Sequence, residues 1–414
     1  MSALLIVAAL AAQTGAAPAS TSSTNTNAQR TTGAGTYVDL EAGVGYSSAP
    51  RLSTLNDEGS AFGRISVHAV HSRVSALSTT LLSAFAENDS YTNHQGSQQS
   101  VNVYARHDAA VSEHVRLFGD LSAAYQENGL LDTRLLGLPL LPPVTEGGVV
   151  TPPILIPPTG DFLSVTGRTY SFSGHAGGTF ALSQQDSLSL SSGVDHVLLR
   201  SGTVRSAYTS IPVSLAYDRK LSERATVGAR VAAQDTEYDG PGSVRTITPQ
   251  LTASLLLAQR ITLDGAIGLS FARVDDGLAV RNSTGLSGQM SLCGRGETSY
   301  FCGHVSVDQQ SATTAGPSRS YGGGVEYSKR LDADQTIEFS LGVTHYSAPR
   351  SFVIGHIFSA TTYAHAAAAY SRRFGERLFG GVNVAARKLT QNGPDPKTDL
   401  NASLFLRYRF GNIQ

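Results

Sequence analysis

Serines, histidines and carboxylates that could do chemistry are present in this sequence, but few stand at spacings that bring them together. In HAVH, His68 and His71 are three apart, and on a strand such residues point to opposite sides. GLSGQM at 285–290 has the outline of a nucleophile elbow. It lies in an alternating run with no helix after it, whereas the elbow needs a strand-to-helix turn. DTEYDGPG and RVDDG could gather carboxylates around a loop-bound Ca²⁺, against the commoner reading of a solvated acidic loop. No catalytic constellation, metal site or cofactor is expected. The two cysteines, Cys293 and Cys302, are more informative. Leu286, Gly288, Met290 and Leu292 share one face of a run, and Phe301, Gly303, Val305 and Val307 share the matching face of the next. Both thiols then point to the other face, on two arms of one hairpin. That placement predicts a cross-strand disulfide and an oxidising compartment; a metal site would need more ligands.

The elements that carry these residues repeat. AYDRKLSERATVGARV (216–231), EYSKRLDADQTIEFSLGV (326–343) and AYSRRFGERLFGGVNV (369–384) share one plan. Each has a Tyr, two basic residues, a hydrophobe and a polar turn, then apolar residues at alternate positions. The same period of two runs through TYVDLEAGVGY, VRLFGDLSAAY, TIEFSLGVTHY and DLNASLFLRYRF, the signature of strands with one apolar and one polar face. About 18 such strands are expected, with cores starting near residues 37, 61, 78, 100, 115, 168, 187, 206, 224, 244, 261, 284, 299, 320, 336, 362, 377 and 399. Their connections alternate between short turns and Gly/Pro-rich stretches at 47–60, 88–99, 127–166, 235–243, 273–283, 309–319, 347–361 and 388–398. The short connection at 199–205 is the exception. Charged residues make up 15% of the chain, against roughly 25% in ordinary soluble proteins. The net charge of −1 offers no field for nucleic acid. No apolar run reaches the length of a membrane-spanning helix. Two sandwich domains would need a linker, and propeller blades a fixed repeat; neither is present. The pattern predicts an all-β fold, a closed antiparallel transmembrane β-barrel of about 18 strands (16–18), with short turns at one end and long loops at the other.

The polar face of these strands would line a lumen. Its candidates are Arg106, Arg116, Asp120, Arg230, Glu326, Glu338, Arg387, Arg407 and Arg409, with Gln250, Asp264 and Asn383. A barrel of this size leaves an aqueous channel. The excess of arginine reads either as a mild anion preference or as a salt-bridged wall with no selectivity. Tyr217, Tyr327, Tyr370, Tyr408 and Phe410 fall where an interfacial aromatic girdle would lie. The apolar, Pro-rich stretch at 130–159 reads as a constriction folded into the barrel, a contact with a partner, or a long outer hairpin.

MSALLIVAALAAQTGAAPAS predicts a secretory signal peptide over 1–19, with small-residue cleavage sites after Ala11 or Ala19 and no basic residue before the apolar run. Residues 20–35 read as a disordered linker and 36–414 as the barrel. The chain resembles Gram-negative outer-membrane β-barrel proteins of the porin type. LNASLFLRYRFGNIQ is similar to their C-terminal assembly signal, although Phe410 is followed by Gly-Asn-Ile-Gln instead of ending the chain. EAGVGYSSAPRLS is similar to the opening of β-barrel porins associated with exopolysaccharide gene clusters. The resemblance implies residence in the outer membrane of a Gram-negative bacterium. Implied partners are outer-membrane lipids and lipopolysaccharide, the barrel-assembly machinery and small hydrophilic solutes, with homo-oligomerisation left open. The expected function is passive diffusion of small hydrophilic solutes. The alternatives are a barrel for exopolysaccharide export or secretion, and a rim-active lipid hydrolase.

Overall fold

Alternating side chains, many of them β-branched or aromatic, favour a pleated ribbon with two unlike faces. The computed structural model describes residues 33–412 apart from 51, 53–57, 94–95, 128–166, 202–203, 241, 276, 278, 313–315, 348–359 and 392–396. The signal peptide, nearly all of the linker, and the 130–159 stretch therefore lie outside the described residues. The first nine strands are β1 (Gly33–Ser47), β2 (Ser60–Val74), β3 (Ser78–Tyr91), β4 (Ser97–Ala110), β5 (Val115–Glu127), β6 (Arg168–Ala181), β7 (Asp186–Ser201), β8 (Val204–Ser222) and β9 (Ala225–Tyr238). The second nine are β10 (Ser243–Ala258), β11 (Ile261–Asp275), β12 (Val280–Arg295), β13 (Ser299–Ala312), β14 (Gly316–Arg330), β15 (Gln335–Tyr346), β16 (Thr361–Arg373), β17 (Leu378–Gln391) and β18 (Lys397–Asn412).

Every strand pairs antiparallel with its neighbours in sequence, and β1 pairs with β18 from Thr36↔Asn412 to Ser47↔Asn401. The 18-stranded sheet is thus closed and has no free edge, which satisfies the backbone within the chain itself. Strands run from 12 to 19 residues, longer than the roughly 9–11 that a tilted strand needs to cross a bilayer. This corrects the expected loops. The segments 88–99, 235–243, 273–283, 309–319 and 388–398 are largely strand, and their connections shrink to 92–96, 239–242, 276–279, 313–315 and 392–396. Polar residues keep extending the ladders beyond the apolar band, because pairing there needs only backbone. The long connections at that end are 48–59, 128–167 and 347–360, while only residues 202–203 separate β7 from β8.

The two faces are inverted relative to a water-soluble protein. Ile65, Leu121, Leu251, Ile267 and Leu400 point outward and are 62–67% exposed, whereas inward Ser47, Ser210, Ser270 and Ser287 are buried. An apolar surface that encircles the whole molecule is far beyond what a soluble monomer leaves uncovered; it suits hydrocarbon. Cys293 and Cys302 are direct partners across β12 and β13 and form a disulfide on the inward side.

Candidate functional site

The site is the inner wall, and ladder register decides which side chains reach it. Partners in register share a face, so inward Asp39 and Glu41 on β1 fix Arg409 and Arg407 on β18 as inward too. The same logic carried round the barrel turns all nine candidate lumen residues inward. Arg106 stands opposite Asp120, Arg116 opposite Thr179, Arg230 opposite Gln250, Glu326 opposite Cys302, Glu338 opposite Ser328 and Arg387 opposite Asp399. Asp264 and Asn383 share that face. His68 and His71 part company as expected. His68 lies inside, 3.2 Å from Ser83 Oγ, and His71 outside, 2.7 Å from Thr36 Oγ1.

The wall is also rich in carboxylates that the alternation reading had not collected. Arg407 Nη2 donates to Glu41 Oε2 at 2.8 Å, and Arg409 Nη2 to Asp39 Oδ2 at 2.7 Å. The Arg409 guanidinium also lies 4.4 Å from the Tyr37 ring centroid, a cation–π contact. Arg106 is forked onto Asp108 at 2.8 and 2.9 Å. Arg64 on β2 is buried against Asp89 and Glu87, 2.5 and 3.4 Å from Nε. Arg64, Glu87, Asp89, Arg387 and Asn401 line one cavity toward the long-loop end. A polar chain crosses β9, β10, β12 and β13: Arg230 Nε donates to Gln250 Oε1 at 3.1 Å, Gln250 to Ser287 at 2.9 Å, and Ser287 to Asp308 at 3.4 Å. His175 is clamped between Asp120 (3.2 Å) and Asp195 (3.3 Å). It rests on Gly193, where any side chain would collide with the imidazole. Both of its ring nitrogens are thereby engaged.

One segment after β1 enters the mouth of the barrel. Asp399 is fully buried and holds that segment to the wall. Its Oδ1 accepts from Ser47 Oγ at 2.7 Å and from the Ala49 backbone N–H at 2.9 Å, and its Oδ2 accepts from Arg387 Nε at 3.0 Å. Ser48 adds a backbone bond to the Leu400 carbonyl at 3.0 Å. Leu52, with a left-handed φ of 47°, then packs into an apolar cluster with Tyr346, Tyr363 and Leu389. These three face inward on β15, β16 and β17, so Leu52 narrows the mouth at the long-loop end. Sequence reasoning missed this device. The signal that could have found Arg64, Asp39 and Asp89 was the alternation itself, applied to β1, β2 and β3.

The aromatic candidates are outward and gathered at the short-turn end. Tyr217, Tyr327, Tyr408 and Phe410 are exposed, and Tyr370 is half-buried. The Tyr217 hydroxyl donates to Asp186 Oδ1 at 2.5 Å and that of Tyr370 to Gln335 Oε1 at 2.9 Å. These two rings thus sit in the apolar belt while their hydroxyls are tied to the first residue of the neighbouring strand, Asp186 of β7 and Gln335 of β15.

No protein-family model matches this chain. No curated protein sequence matches it either. Among solved structures it is similar to the FrpB iron transporter from Neisseria meningitidis (F3-3 variant), at 11% identity and a TM-score of 0.43, covering 91% of this chain and 81% of that one. It is similar to the outer membrane protein OpdK from Pseudomonas aeruginosa at 11% identity and a TM-score of 0.44, with coverage of 91% and 99%. The match to OpdQ, also from Pseudomonas aeruginosa, has 10% identity, a TM-score of 0.42 and coverage of 92% and 98%.

Proposed function

We propose that this chain is an outer-membrane pore for passive diffusion of small hydrophilic solutes, open to the periplasm at its short-turn end. The observation that carries the reading is the inversion of faces in a closed barrel: apolar side chains encircle the outside while serines, glycines and charged residues line the inside. Such a surface is stable only against lipid, and a barrel of 18 strands is wide enough to hold water. Selection by size at the mouth is favoured by Leu52 and its apolar cluster. Carboxylates hold five inward arginines, Arg64, Arg106, Arg387, Arg407 and Arg409, which mutes discrimination by charge sign. The mild anion preference is the second reading. It is favoured by inward Arg116, which has no ion pair among the described residues. Catalysis is not proposed: His175 lies between two carboxylates, and inward His68, 3.2 Å from Ser83 Oγ, has no carboxylate hydrogen-bonded to its other ring nitrogen among the described residues to complete a triad.

Liposome swelling with a series of neutral sugars tests the pore. Swelling that falls with sugar size supports it, and a folded barrel that admits no sugar contradicts it. The zero-current potential in a salt gradient reads the charge preference. Release of sealed exopolysaccharide without sugar permeation would favour export, and fatty-acid release from lipid would favour the hydrolase.

A further inference from the structure

Register puts three arginines side by side on the outer surface at the long-loop end. Arg168 on β6 is opposite Arg200 on β7, and Arg200 is opposite Arg205 on β8. Neighbouring strands are about 4.8 Å apart, and like charges directly opposite one another oppose pairing. Among the described residues, the compensating carboxylates stand at the ends of this row. Glu127 Oε1 is 3.0 Å from Arg168 Nε, and Asp239 Oδ2 is 4.0 Å from Arg205 Nη2. Arg200, in the centre, has no ion pair among the described residues, and all three side chains are exposed. Two residues nearer the barrel's middle, the next outward row is Tyr125, Tyr170 and Leu198. The two tyrosine rings there are 5.2 Å apart. Paired aromatic rings with apolar residues beyond them mark the level where hydrocarbon gives way to headgroups. The arginine row therefore stands at headgroup height, facing lipid and not the lumen.

The geometry points to a binding site for a phosphorylated glycolipid headgroup on the outer wall of β6–β8, with Arg200 as its central contact and Arg168 and Arg205 closing on the same phosphate. Guanidinium groups fork onto phosphate oxygens, and the anion removes the repulsion that the bare row carries. The acyl chains of the same molecule would run down past Tyr125, Tyr170 and Leu198. This rests on the outer-membrane reading above.

The test uses the full chain refolded in neutral detergent, with folding checked by heat-modifiable gel mobility. Three probes are titrated: an acylated disaccharide bisphosphate, its enzymatically dephosphorylated form, and inorganic phosphate. The phosphorylated glycolipid is expected to bind the unmodified chain and to bind Arg200→Gln at least tenfold more weakly. Arg373→Gln, at the short-turn end, should bind as tightly as the unmodified chain. Arg168→Gln and Arg205→Gln serve if the Arg200 variant does not fold. Equal affinity of folded Arg200→Gln, or equal affinity for the dephosphorylated glycolipid, overturns the proposal. Equally tight binding of inorganic phosphate overturns the lipid as its source. A chain that stays folded and monodisperse without detergent would sink the outer-membrane reading itself, a result distinct from these.

Discussion

Asp399 shows how one side chain can couple the wall to the mouth. It is fully buried and takes bonds from Ser47, Ala49 and Arg387. Removing a partner from a buried ion pair leaves a charge without compensation, typically costing about 3–5 kcal/mol. Arg387→Ala should therefore lower barrel stability by about that amount, read as a lower urea midpoint for refolded protein in detergent. Asp399→Ala should raise single-channel conductance, because the segment carrying Leu52 loses its anchor on Ser47 and Ala49; an unchanged midpoint in Arg387→Ala and an unchanged conductance in Asp399→Ala would refute the coupling. Arg387 was legible as an inward residue from alternation. Asp399 opens the expected strand DLNASLFLRYRF, but its role was not legible, for Ser47, one of its partners, lies 352 residues away in the chain. Long-range partners are set by closure, which no local pattern encodes. Leu52 was illegible for the same reason.

At the scale of elements, the seam between β12 and β13 is the least continuously paired by backbone. Its ladder runs only from Gly288↔Val307 to Arg295↔Tyr300, shorter than any other, while β11 pairs with β12 along nearly its whole length. Above Gly288, Arg319 from β14 reaches across to the Thr284 carbonyl, and Ser287 to Asp308. Side chains stitch what the backbone leaves open. Amide hydrogen exchange should accordingly be faster for seam-facing residues in 280–287 than across β11, as the more open unit exchanges first. Equal protection would refute the open seam. The disulfide at Cys293 and Cys302 staples the paired half of this hairpin. Replacing both with serine should cost roughly 2–3 kcal/mol by loop entropy and extend fast exchange below Gly288. Urea midpoints and exchange maps check both. The pairing of the cysteines was legible, since a hairpin is local and alternation assigns its faces. The gap above them was not, because 281–285 and 308–311 (RNSTG and DQQS) are polar on both faces and carry no alternation to read. Loop lengths were misjudged for a related reason: Gly- and Ser-rich polar ends look like loops, although antiparallel pairing extends through them.

At the scale of the molecule, alternation with two unlike sets of connections was enough to anticipate a closed meander of 18 strands. The strand starts fall near those expected, and the chain's two ends meet between β1 and β18. The sequence could not say which charges face each other across the lumen. An inward arginine count alone overstated positive charge, since Asp39, Glu41, Asp89, Asp195 and Asp399 stand on the same face. Everything functional depends on the outward face meeting hydrocarbon and the inward face meeting water. The most direct measurement places a single environment-sensitive fluorophore, in liposomes, on outward Ile267 or Leu404 or on inward Gln289 or Asn383, each changed to cysteine in a chain lacking Cys293 and Cys302. Brominated acyl chains should quench the first two and spare the last two, and aqueous iodide should do the reverse. Iodide quenching at Ile267 and Leu404, with bromolipid silent at both, would contradict the membrane barrel and the pore with it.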